Sequence, residues 1–213
     1  DAFTTGVFDL RKPVTLCNPA EINVERTDDP ATHVRGFQIK LSKGQCSAES
    51  PQNVGAGCRK EEDCGGTIRQ TNFCVAQPKF QKQTNLTVTN LLQPDGALKV
   101  DLIKPDRFVT PATKSHIEPL PPPDSATHAV DQYTCYRLKP SKGATKFPKD
   151  LRAKVVDQFA QEKLYDLKRA TRLWAPVEAN GATVKDATTS LLCYQARQTA
   201  KVFLFRSRPR PTS

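Results

Sequence analysis

The sequence predicts an all-β fold: antiparallel tandem repeats of a strand plus a hairpin, with a small disulfide-stapled insertion. Segments resembling one another recur along the chain, and short runs alternate apolar and polar residues with a period of two. Four of the seven cysteines crowd into one stretch with almost no apolar periodicity. The chain has 213 residues, of which 37% are hydrophobic and 25% charged, a globular composition with length for one or two domains. No apolar run approaches the roughly 18 residues of a spanning helix, so the chain is not expected to cross a membrane.

The repeats come first because they order everything else. Val7 to Pro19, Lys99 to Pro111 and Leu164 to Pro176 align on the pairs Asp9-Leu10, Asp101-Leu102 and Asp166-Leu167, each with a proline nine residues after the leucine. A second block follows each of these. Gly36-Phe37-Gln38-Ile39-Lys40 leads to Ser42-Lys43-Gly44, and Cys135-Tyr136-Arg137-Leu138-Lys139 leads to Ser141-Lys142-Gly143. Cys193-Tyr194-Gln195-Ala196-Arg197 opens a third copy that then diverges. A third block sets Pro78-Lys79-Phe80 and Leu86-Thr87-Val88 against Thr145-Lys146-Phe147 and Leu151-Arg152-Ala153. The expected division is residues 1–41 as the C-terminal half of a first repeat and 36–140 as a second carrying an insertion at 45–77. Residues 135–200 form a third, and 201–213 a final strand and basic tail.

Within a repeat, the Gly36, Cys135 and Cys193 blocks read as strands and the next segment as a hairpin. Leu151 to Arg169 on its own has helical composition, rich in Leu, Ala, Lys, Glu and Gln. Its counterpart, Leu86 to Lys104, carries Gln93-Pro94-Asp95-Gly96 between alternating runs, which is a turn signal inside a hairpin pattern. Copies of one unit share a fold, so both segments are read as hairpins. Glu118 to Asp124, with four prolines, reads as a stiff surface spacer.

The insertion cannot fold by burying a core of its own. Cys46, Cys58, Cys64 and Cys74 lie within 29 residues, at gaps of 11, 5 and 9, with no histidine between them. Zinc wants shorter pairs and often histidine, so two disulfides are the expectation. Three pairings exist, and Cys46–Cys64 with Cys58–Cys74 is preferred. Disulfides place the chain in an oxidising compartment, periplasmic or extracellular. The absence of methionine fits a mature chain from which a signal peptide has been removed. Cys17, Cys135 and Cys193 form an odd set, so at least one thiol is free or bonded to another molecule.

The chain opens on what reads as the second strand of a hairpin, and Lys201 to Phe205 is an apolar strand without a continuation. Open edges invite pairing. Circular closure within the chain is favoured over donation to a second copy, because it needs no other molecule.

These blocks resemble a tandem-repeat β domain of uncharacterised secreted proteins from environmental bacteria. The resemblance rests on the Cys-Tyr blocks, Val155-Val156-Asp157-Gln158-Phe159, and Ala175 to Gly181; Gly57-Cys58 to Cys64-Gly65-Gly66 is similar to a small cysteine motif of such proteins. It covers most of the chain and implies no activity. It also implies a disulfide within one repeat, between the positions of Cys17 and Gly36, Val109 and Cys135, or Trp174 and Cys193. In each of these pairs one cysteine is missing. A Cys17–Cys193 bond across a closure is one of the three pairings open to these cysteines.

No haem-attachment, nucleophile-elbow, Walker or dinucleotide motif occurs, so no cofactor and no catalytic residue are expected. His33, His116 and His128 read as solvated loop residues, and Glu61-Glu62-Asp63 as a solvated turn rather than a calcium site. The recurring aspartates read as structural. The net charge of +10 points to an acidic partner outside the cell, and not to nucleic acid. The expected function is a non-enzymatic exported structural or accessory subunit of a larger assembly, bound to other proteins or to copies of itself. One alternative is a module for an anionic glycan or lipid surface, through Lys142, Lys146, Lys149, Arg206, Arg208 and Arg210. A hydrolase whose carboxylates meet only in three dimensions is another.

Overall fold

β-Branched and aromatic residues spaced two apart need a pleated surface with one covered face, and the described residues meet this need with twelve strands. The computed structural model describes residues 3–23, 26–27, 29–67, 69–115, 117–118, 120–157, 162–179 and 181–199. In order they form β1 (Phe8–Cys17), β2 (Ala20–Ile22), β3 (His33–Leu41), β4 (Gly44–Cys46), β5 (Gly57–Cys58) and β6 (Cys74–Ala76). After these come β7 (Gln83–Asn90), β8 (Gln93–Ala112), β9 (Tyr133–Pro140), β10 (Arg152–Asp157), β11 (Lys163–Pro176) and β12 (Leu191–Gln198). The only helical element among the described residues is one 3₁₀ turn, Glu61–Cys64. The fold is all-β and antiparallel, as expected.

Nine strands make one sheet, in the order β1-β3-β8-β9-β11-β10-β2, with β12 also on β11 and β7 also on β8. Three long ladders within it share a register. Asp9 pairs with Lys40 in β1–β3, Asp101 with Lys139 in β8–β9, and Asp166 with Arg197 in β11–β12. Each then slips twice: at Leu10/Pro13 and Pro13/Thr15, at Leu102/Lys104 and Pro105/Arg107, and at Leu167/Arg169 and Ala170/Arg172. Such irregularities bend a strand and sharpen its twist. Beyond them Thr15 meets Gly36, Arg107 meets Cys135, and Arg172 meets Cys193.

The aspartate of each ladder is tied down in the same way. Asp9 accepts a hydrogen bond from Ser42, Asp101 from Ser141 at 2.7 Å, and Asp166 from Thr199 at 3.0 Å. The backbone N–H of that hydroxyl residue in turn donates to Val7, Lys99 or Leu164. Phe80 packs on Tyr136 with ring centroids 5.5 Å apart, and Phe147 on Tyr194 at 5.9 Å.

Both hairpins form, β7–β8 and β10–β11. The helical composition of 151–169 loses to the ladder, where Arg152 pairs with Asp166 and Val155 with Lys163. One detail departs from expectation. The tip of the first hairpin is Leu91-Leu92, because Asn90 pairs with Gln93 and the Asn90 side chain accepts the Leu92 N–H at 3.0 Å. Pro94-Asp95-Gly96 instead falls in the register shift behind the tip, between Val88 and Asn90. The register also makes Ala153 (opposite Tyr165) the counterpart of Leu86 (opposite Val100), rather than Leu151.

Among the described residues the large sheet carries two buried clusters, and Cys46, Cys58 and Cys64 make a third in the insertion. Leu102, Tyr136, Leu173 and Ala175 form one buried cluster, with Phe3, Phe80, Leu86, Val88, Leu138 and Leu192 around it. Val109, Tyr133, Cys135 and Trp174 form the other, flanked by Cys17, Val34, Val130 and Cys193. The strand order starts at β1 and ends at β2, yet only Asn18 and Pro19 separate those strands in the chain. Among the described residues β1 and β12 form no ladder, and no helix is long and apolar enough to cross a membrane.

Candidate functional site

Two places concentrate chemistry: the cluster that ends the three ladders, and the cysteine-rich insertion. Thr15, Arg107 and Arg172 hold the same register position. The Arg107 guanidinium donates to the Thr15 hydroxyl at 2.9 Å, while Arg172 grips the Asp106 carboxylate with Nε at 3.1 Å and Nη2 at 3.0 Å. A bidentate pair of this kind fixes direction as well as charge. Gly36 is required here, since a Cβ would come 2.8 Å from the Thr15 hydroxyl and 3.5 Å from Val109.

The three thiols converge on this region. Cys135 is fully buried, and Cys17 and Cys193 are half-buried against the same cluster. Burial, and then the neighbouring Cys17, pushes the Cys193 thiol up to about 12. Burial raises Cys135 far above the ordinary thiol range, and raises Cys17 against the opposing pull of Arg107. Thiols this strongly protonated are poor nucleophiles. The sequence offered only a Cys17–Cys193 bond across a closure; the bulged register brings all three thiols to one cluster. It also sets where the two positions of the bond implied by the resemblance lie. Trp174 lies opposite Cys135 and Val109 opposite Gly36, so the two positions meet across neighbouring ladders.

In the insertion, Cys46 is bonded to Cys64 and Cys58 to Cys74, with Cα separations of 5.4 and 5.8 Å. β4 lies between β5 and β6, and Gly44 has no room for a side chain: a Cβ would be 2.8 Å from Cys74 Sγ and 2.9 Å from Cys58 Sγ. Glu61 accepts the N–H groups of Phe73 and Cys74 at 2.9 and 3.0 Å, and Asp63 that of Arg59 at 2.8 Å. These carboxylates organise the insertion's backbone. Cys46, Cys58 and Cys64 are the one close group of metal-ligand atoms among the described residues, and the disulfides occupy all three. Gln77 then staples the insertion's exit to β1, accepting the Val7 N–H at 2.7 Å and donating to the carbonyls of Val7, Ser42 and Gly44.

No family model, curated protein or solved structure matches the chain. Its own geometry therefore carries the functional reading. Lys142, Lys146 and Lys149 are exposed on the loop between β9 and β10. Arg206, Arg208 and Arg210, the strand expected at Lys201 to Phe205, and His116 all lie outside the described residues. His33 corrects the solvated reading: it sits in β3, buried, and burial followed by the Lys114 charge lowers its pKa. His128 is half-buried in the loop between β8 and β9, with its Nδ1 3.2 Å from the Lys185 ammonium.

One further surface was not legible in sequence. On β1, Leu10 is 56% exposed, Val14 38% and Leu16 54%. A groove beside them is lined by Pro13, Val14, Thr15 and Leu16, with Arg35 and Lys114 at its rim.

Proposed function

We propose that the chain is a non-enzymatic, exported structural or accessory subunit of a periplasmic or extracellular assembly, built from one strand-and-hairpin unit used three times. The shared register of the three ladders, with its two slips and its aspartate–hydroxyl tie, supports the unit. The two disulfides support an oxidising compartment. The observation that carries the assembly reading is the exposure of Leu10, Val14 and Leu16 on β1, the last two lining a groove with the cations Arg35 and Lys114. Contiguous exposed apolar side chains rimmed by charge are characteristic of protein contacts. This surface suits an acidic, partly apolar segment of another protein.

Native mass spectrometry and sedimentation of the chain, with the proteins that co-purify with it, test this reading. The expected result is a complex whose affinity falls at least tenfold in a Leu10→Asp/Leu16→Asp variant with unchanged circular dichroism. A lone monomer with no tendency to associate overturns it.

A second reading draws on Lys142, Lys146 and Lys149, which are all exposed on one loop. They form an anion-binding face for glycan or lipid headgroups. Binding to anionic vesicles or glycans would then weaken steeply with salt, and salt-insensitive binding counts against it.

A further inference from the structure

Of the three cross-ladder positions that the unit defines, two are occupied by pairs that cannot bond. Val109 faces Gly36, and Trp174 faces Cys135. In both cases a long strand, β8 or β11, uses its free edge to pair with the strand preceding its own hairpin, β3 or β9. The third long strand is β1, and the strand that would meet it is β12. Carrying the same register across that seam sets Cys17 opposite Cys193. Three independent observations agree. Both thiols pack against the same buried cluster of Val109, Tyr133, Cys135 and Trp174. Thr15, two residues before Cys17, already takes a hydrogen bond from Arg107, the counterpart of the Arg172 that pairs with Cys193. β2, which begins three residues beyond Cys17, is laddered to β10 at Ile22–Val155, which holds this part of the chain against the last hairpin.

We propose that Cys17 and Cys193 form a disulfide that locks the seam between β1 and β12, leaving the buried Cys135 as the one free thiol. The inference rests on the reading of three equivalent units, and it deepens that reading by assigning a covalent closure. It also accounts for the odd cysteine: a fully buried Cys135 is closed to bonding with another molecule.

The oxidant is a disulfide of the oxidising compartment, small or protein-borne. One cysteine thiolate attacks its S–S bond, forming a mixed disulfide and expelling one donor thiolate. The second cysteine thiolate then attacks the protein sulfur of that mixed disulfide and expels the other donor thiolate. The S–S bond of the donor is replaced by the Cys17–Cys193 bond, and the two cysteine protons end on the two released thiols. Each attack needs a thiolate, so closure accelerates as pH rises.

Non-reducing peptide mapping of the full chain, produced under oxidising conditions, tests this. Trypsin separates the three cysteines into different peptides, because Arg26, Arg137 and Arg197 follow them in turn. The expected result is a linked pair containing Cys17 and Cys193, with one alkylation per denatured, unreduced chain, at Cys135. Cys135→Ser should keep the linked pair and abolish that alkylation. The Cys46–Cys64 and Cys58–Cys74 linkages serve as internal controls for oxidation. If they are intact while three thiols alkylate, or if Cys135 is linked to either partner, or if a bond joins two chains, the inference is overturned. None of these outcomes depends on whether the chain associates, so failure here is distinct from failure of the assembly reading.

Discussion

His33 and Asp101 are the clearest sources of pH dependence. His33 has a lowered pKa because it is buried and faces Lys114, with Asp29 opposing weakly. A base depressed in the folded state binds more protons when unfolded, so its stabilisation is complete above its unfolded value of about 6.5 and drains as pH falls through its folded value. Asp101 is held low by the Ser141 hydroxyl first, then by the Asn85 N–H and Lys82. Its contribution is present above the unfolded carboxylate value of about 3.9 and is lost only at more acid pH. Unfolding measured from pH 7 downward should therefore show two steps of lost stability. His33→Gln should remove the first, and Asp101→Asn should shrink the second, which Asp9 and Asp166, held low by the same kind of hydroxyl contact, share. If the denaturation midpoint of His33→Gln falls across the first step as steeply as that of the parent, the role given to His33 is wrong. Leu102 is wholly buried in the first core cluster. Leu102→Ala should cost about 2–5 kcal/mol of stability, the range for emptying a packed leucine site, read as a lower midpoint in guanidinium.

At the scale of elements, the insertion is a separate unit of stability joined by Gln77. Its disulfides close loops of 18 and 16 residues, and a loop of this length is worth about 3 kcal/mol in chain entropy. Reduction should unravel β4, β5 and β6 while the nine-stranded sheet persists, seen as hydrogen exchange that speeds up at Val75 and not at Leu102. Gly44→Ala should prevent correct pairing of Cys58 with Cys74, because the new methyl has backbone on one side and two sulfurs on the other. A normal disulfide map for that variant would contradict the packing described.

Element identity was largely legible in the residues. Phe37, Tyr136 and Tyr194 sit in period-two runs, and the sheet has strands there. The hairpin at 151–169 was legible only through its counterpart, since local propensity alone favours a helix. The first hairpin's tip was misread because an Asx turn at Asn90 outcompetes Pro94-Asp95-Gly96, and the difference depends on the register of Val100 and Leu102. The convergence of Cys17, Cys135 and Cys193 and the exposed row on β1 depend on two bulges per ladder. A bulge inverts which side chains face inward, and nothing in Leu10 to Thr15 taken alone signals one.

For the whole molecule, the decisive feature is the two-residue step from β1 to β2 across the full order of the sheet. It ties a segment near residue 20 to β10 through Ile22–Val155 and the Asn23 N–H to the Lys154 carbonyl at 2.7 Å. That contact spans 131 residues between Asn23 and Lys154. Pairings so distant in sequence are slow to form, since the chain must close the intervening loop before any contact rewards it. During synthesis, β2 has no partner until β10 has left the ribosome, long after β3 and β8 can meet. Pulse-labelled hydrogen exchange during refolding should accordingly protect Tyr136 and Leu102 early and Asn23 last. In the interval the β2 segment stays exposed, and that is when this chain is most open to pairing with a copy of itself.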